Sequence, residues 1–283
     1  MNTQTPGGHD GAGASRREAL TPFYFGPSDR LFGLYESPFG SKPREDGIVI
    51  AYPIGHEYDR SHRGCRQLAR QLNLAGFPVL RFDFFGSGDS LGEEAEGDLD
   101  RWTEDLESAI GYMGDRCRRV GVIGLRLGAS LAAKVGDRAG SLESLVLWQP
   151  VVDGRRYLGE IRAQHASHER KHGWQEQESR RLAGLESGLE VLGFLFSDKA
   201  VRQLEQFDLD QLSRPPARRL LLVDNGDGGE FRDLRLRLDQ LGAKVDEAAI
   251  REPMMWLAEQ YQMLLPTQSI QRIVQWVSEV HCA

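Results

Sequence analysis

The sequence predicts an α/β protein built on a mostly parallel, doubly wound sheet covered on both faces. Short apolar runs recur along the chain, at Ile48–Tyr52, Pro78–Phe82, Val120–Ile123 and Leu145–Trp148, each bounded by loop residues. Strands buried on both sides need that pattern. Between them lie helix-spaced stretches at Ser61–Ala75, Asp100–Tyr112 and Leu127–Val135, so strand and helix alternate. A glycine-flanked turn joins the third of these strands to the helix behind it.

Taken in order, residues 1–18 are rich in Gly, Ser and Thr and almost free of apolar side chains, which predicts a disordered tail. They also lack the apolar stretch of a secretory signal. Pro22–Gly26 and Leu31–Glu36 flank a Gly-Pro-Ser-Asp turn and predict an antiparallel hairpin ahead of the parallel strands. The strand at Ile48 leads into a loop, Pro53–Arg60, before the first helix. After Pro150 the alternation stops. The stretch 151–213 is charged and predicted to be helical without strands, the form expected of a lid over the strand C-termini. Strands resume at Arg219–Val223 and Lys244–Ile250, and an amphipathic helix runs from Ser269 to Val280. The expected organisation is a core divided into 19–150 and 214–283 by a helical insertion over 151–213.

Composition narrows the function. A net charge of −7, from 35 basic and 42 acidic residues, argues against a nucleic-acid partner. No apolar run reaches the ~18 residues a membrane helix needs, so no membrane association is expected. Cys65, Cys117 and Cys282 form no metal or redox spacing, and their odd number fits a reducing, cytoplasmic setting. Neither a dinucleotide fingerprint nor a Walker-type loop occurs, and no cofactor or metal is expected. His165, His168 and His172 lie at helical spacing and are expected to form a solvated basic face.

The most specific local signal is VGVIGLRLGASLA at residues 120–132: an apolar strand, then Gly124-Leu-Arg126-Leu-Gly128, then a small-residue helix. Such a turn lifts its central residue above the sheet edge, beside the backbone N–H groups that open the helix. With the Asp83…Gly86…Gly88…Ser90 loop after the preceding strand, the chain resembles the α/β-hydrolase fold. The segments PIGHEYDRSHR, LRFDFFGSGDS, GLRLGASLA and LVLWQPVVDGRRYL are similar to hydrolase-like proteins encoded beside bacterial exosortase systems.

That resemblance implies a nucleophile at the elbow apex, an acid after a later strand and a histidine after the last strand. Here the apex is Arg126, which stays protonated and cannot attack a carbonyl. The loop Asp224-Asn-Gly-Asp227 supplies an acid, with Asp227 the better match, and Arg251–Trp256 after the final strand holds no histidine. His281 lies at the far end of the last helix and is not expected to take that role. Ser130, Ser90 and Cys65 are expected to pack or cap rather than to act as nucleophiles.

Arg126 then has two readings: an internal ion pair with Asp227 or Glu57, or a ligand carboxylate, phosphate or sulfate held by its planar fork. The candidate ligand-binding residues are Arg126, Leu127 at the helix start, Gly55, His56 and Glu57 in the loop where hydrolases build half of an oxyanion hole, and Asp227. Glu57 paired with Arg60 on the surface is the plainer reading of that loop. The expectation is a hydrolase-like protein with a degenerate triad that binds a small anionic or acyl ligand in a lidded cleft. The resemblance implies an accessory or biosynthetic role in bacterial polysaccharide export. One alternative is an active esterase or thioesterase in which His56 or Asp227 activates water. Another is a purely structural partner, as a homo-oligomer or beside a related hydrolase subunit.

Overall fold

The structure is a computed structural model that describes residues 20–39, 43–140, 142–172, 188–226, 231–257 and 264–282. The predicted tail and Asp227 lie outside the described residues. Eight strands form one sheet: β1 (Leu20–Phe25), β2 (Leu31–Glu36), β3 (Asp46–Ala51), β4 (Val79–Phe82), β5 (Arg119–Leu125), β6 (Leu142–Trp148), β9 (Ala217–Asp224) and β10 (Val245–Ala249). Their spatial order is β1-β2-β4-β3-β5-β6-β9-β10. The β1–β2 hairpin is antiparallel and joins β4 antiparallel, while the pairs from β4 through β10 are parallel.

Because side chains alternate along a buried strand, each central strand feeds two cores. Val49 and Ala51 of β3 point to one and Ile48 and Ile50 to the other. The first core is closed by α2 (Leu99–Gly114) and α3 (Leu127–Ala139), with Trp102, Leu106, Leu131 and Val135 buried against the sheet. The second is closed by α1 (His56–Leu74) and the C-terminal α7 (Thr267–Val280), through Leu68, Leu72, Ile273 and Trp276. The start of α2 is set by Asp98, whose carboxylate accepts from the N–H groups of Asp100 and Arg101.

Three expectations need correction. Helix α1 starts at His56, so His56 and Glu57 belong to its first turn rather than to a loop. Gly55, at φ 66°, turns the chain, and the Tyr58 N–H closes back on the Gly55 carbonyl. The insertion is not all helix: after α4 (Gly154–His172) comes a small hairpin, β7 (Leu189–Val191) and β8 (Phe194–Phe196), before α5 (Asp198–Glu205). Leu192 and Gly193 both take positive φ, the two-residue turn that suits the twist of paired strands. A helix absent from the sequence reading, α6 (Arg232–Gln240), joins β9 to β10. No helix among the described residues is long and apolar enough to cross a membrane.

Candidate functional site

The site is built where β5 turns into α3. Arg126 sits at φ 53°, ψ −124°, a left-handed conformation that strains any residue with a Cβ. The turn is tight because Gly124 and Gly128 leave no space: a Cβ on the first would strike the Ala129 backbone, and on the second the Tyr52 carbonyl. The Arg126 N–H donates to the Trp148 carbonyl at 3.0 Å, tying the turn to the end of β6. The elbow predicted from glycine spacing is therefore present, with a cation at its apex.

The Arg126 guanidinium is buried, 7% exposed, and its planar fork is shared among neighbours. Nε donates to Glu57 Oε1 at 2.9 Å and Nη2 to Glu160 Oε2 at 3.2 Å, while Nη1 lies 3.5 Å from the Gln149 carbonyl. The Tyr157 and Trp256 rings stand on the cation, each with its centroid 5.5 Å away. Tyr157 belongs to one core and Trp256 to the other, so Arg126 lies at the seam between them. Burial alone would lower its pKa, but the charge and hydrogen bond of Glu57, together with Tyr157 and Glu160, outweigh that effect and raise it further. Of the two expected internal partners, Glu57 pairs with Arg126 while Asp227 lies outside the described residues; Glu57 is fully buried and also accepts from the Tyr157 hydroxyl at 3.0 Å. The surface pairing with Arg60 does not form; Arg60 donates to the Trp256 carbonyl instead.

One stripe of α4 makes the contacts above the elbow. Tyr157 reaches Glu57, Glu160 reaches Arg126, and Gln164 Oε1 lies 3.0 Å from His56 Nε2. Spacings of three and four place these side chains on one helix face. His56 is thus beside an amide, and burial lowers its pKa, the Glu57 charge opposing. Its Nδ1 is buried without a hydrogen-bond partner among the described residues. Glu160 differs from Glu57 in being 40% exposed, with Arg156 Nε 3.8 Å away on the same helix. His165 departs from the expected solvated face: it is 15% exposed, and its Nδ1 accepts from the Leu192 N–H in the hairpin turn.

Beside Arg126, a shallow, open crevice lies at the C-terminal ends of β6, β9 and β10; the space it encloses is about 10 Å³, room for a single water. Gln149, at φ 49°, and Trp256 line both this crevice and the Arg126 site. The Gln149 side-chain Nε2 is buried and has no hydrogen-bond partner among the described residues. Asp224 forms one wall, its Oδ1 accepting from the Gly226 N–H. In the segment after the last strand, Glu252 caps α7, its carboxylate accepting from the Gln268 and Ser269 N–H groups. Among the described residues, no cluster of three or more His, Cys, Asp or Glu could hold a metal ion.

A serine, a histidine and an aspartate do meet elsewhere. Ser144 Oγ lies 2.8 Å from His281 Nε2, and His281 Nδ1 lies 2.9 Å from Asp46 Oδ2. Arg119 grips the same Asp46 carboxylate through Nε and Nη2. This relay escaped the sequence reading because its members lie 98 (Asp46–Ser144) and 137 (Ser144–His281) residues apart. It sits at the N-terminal ends of β3 and β6, the sheet edge opposite the elbow. The His281 side chain is 0% exposed and Ser144 is 1% exposed, so no acyl carbonyl reaches the hydroxyl. Its role is to pin α7 to the sheet. Ser130 and Ser90 are likewise structural, donating to the carbonyls of Val151 and Asp83, and burial pushes the Cys65 thiol up to about 12.

No protein-family profile matches the sequence, and no curated protein matches it. Solved structures do match over nearly the whole chain. An esterase from Pyrococcus furiosus superposes with a TM-score of 0.63 at 17% identity, covering 93% of this chain and 92% of the esterase. Est1E from Butyrivibrio proteoclasticus, solved with ferulic acid bound, gives 0.60 at 13% identity over 88% of this chain and 93% of its own. The mouse alpha/beta hydrolase domain-containing protein 10 gives 0.53 at 16% identity over 92% and 98%. Together with the sheet order and the elbow, these likenesses show that the chain has the α/β-hydrolase fold.

Proposed function

We propose that the chain is a non-catalytic, hydrolase-like protein that binds a small anionic or acyl ligand at Arg126, with α4 as a lid. One observation carries this reading. The elbow keeps its strained backbone while its side chain is a cation, held on one side by buried Glu57 and on the other by half-exposed Glu160. Strain of this kind persists where function uses it. A purely structural ion pair would not need a partner that faces solvent. The ferulic acid bound to Est1E supports a ligand of acyl chemistry in the same fold. The resemblance to exosortase-associated hydrolase-like proteins supports an accessory role in bacterial polysaccharide export, beside a catalytically complete relative.

Thermal unfolding with and without short carboxylates and sugar phosphates tests the proposal. A ligand at a hundred times its Kd should stabilise the parent by about 2.7 kcal/mol, and Arg126→Gln should abolish that gain. Equal shifts in both proteins, or none in either, would count against it.

A further inference from the structure

Resting on that reading, we infer that the ligand is a short-chain monocarboxylate whose head group replaces the Glu160 carboxylate on Arg126. The argument begins with charge. In the closed arrangement one guanidinium faces two carboxylates, Glu57 through Nε and Glu160 through Nη2. Glu57 is fully buried and held by Tyr157 as well, so it stays. Glu160 is the exchangeable member. It is 40% exposed, and Arg156, one turn earlier on the same helix, already lies 3.8 Å from its other oxygen. A monocarboxylate replaces it one charge for one. A phosphate dianion would add a negative charge to a buried site that already contains Glu57, which burial penalises heavily.

Hydrogen bonding points the same way. Gln149 is 5% exposed, its carbonyl lies 3.5 Å from Arg126 Nη1, and its side-chain Nε2 is a buried donor without a partner among the described residues. A carboxylate on the Nη face of Arg126 has a second oxygen for that donor. The tail then lies along the open mouth of the adjoining crevice, which Trp148, Ile250, Met254 and Trp256 line with apolar surface. Asp224 and Glu252 also border it, and the rest of their charge faces any second anionic group. The crevice therefore selects one carboxylate and a neutral tail, and rejects dicarboxylates.

Calorimetric titration of the full chain tests this with sodium butyrate, succinate and inorganic phosphate at constant ionic strength. Removing the internal competitor in Glu160→Gln should tighten butyrate at least about fivefold over the parent. Gln149→Asn keeps a residue that tolerates positive φ but withdraws the amide, and should weaken butyrate by about three- to tenfold. Succinate and phosphate should bind more weakly than butyrate to parent and variant alike. Phosphate or succinate matching butyrate, or an unchanged butyrate affinity in Glu160→Gln, would overturn the inference and leave anion binding at Arg126 standing. No heat with any probe in either protein would overturn both.

Discussion

Arg126 shows how one side chain redirects a site without disturbing the backbone around it. A guanidinium cannot be deprotonated near neutral pH, so once it is buried it must be paired, and the pair becomes part of the fold. Arg126→Ser restores the residue type that hydrolases mount at the apex, yet it should give no ester hydrolysis, because Arg251–Trp256 after the last strand holds no histidine. It also leaves Glu57 with only the Tyr157 hydroxyl. The expected loss is about 3–5 kcal/mol by urea unfolding. A variant as stable as the parent would mean that the Arg126–Glu57 pair contributes nothing to folding. The need for a partner was legible in the sequence, and both Glu57 and Asp227 were open candidates. Selection of Glu57 depended on helix α1 starting five residues early, which brings its first turn against the elbow.

At the scale of elements, α7 is held by more than its apolar stripe. His281 at its C-terminal end meets Asp46 of β3 and Ser144 of β6, with Arg119 and Glu143 next to them, Phe77 edge-on to the ring and Arg44 on its carbonyl. Burial lowers the His281 pKa, opposed by Asp46, so the folded protein holds the ring neutral with Nδ1–H donated to Asp46. The unfolded chain then binds more protons in mild acid, and stability falls as pH drops below the ordinary histidine value of ~6.5. His281→Gln should flatten that fall. The difference in unfolding free energy between parent and variant should shrink by about 1 kcal/mol between pH 7.5 and 5.5. A constant difference would mean that the ring does not titrate with folding. Other elements show why sequence reading ran out. The leucines of α6, Leu234, Leu236 and Leu238, alternate at a strand-like period although only Leu234 and Leu238 are buried. Strands β7 and β8 are three residues each, too short for any period to register.

Across the whole molecule, what could be read in advance was local: apolar strands, helix spacing and the glycines of one turn. The parallel, doubly covered sheet followed from that alternation, though its strand order did not. The site did not, because its contacts join residues far apart in the chain: Glu57 with Arg126, Tyr157 with Glu57, and Gln164 with His56. These contacts bring α1, α3 and α4 together over the seam between the two cores. They set a cation between two carboxylates at the elbow apex. The most direct test of that central claim is the initial rate of p-nitrophenyl butyrate hydrolysis by the purified chain at neutral pH. The account predicts a rate indistinguishable from the buffer blank. Turnover above the blank that disappears in His56→Ala or Ser144→Ala would contradict it.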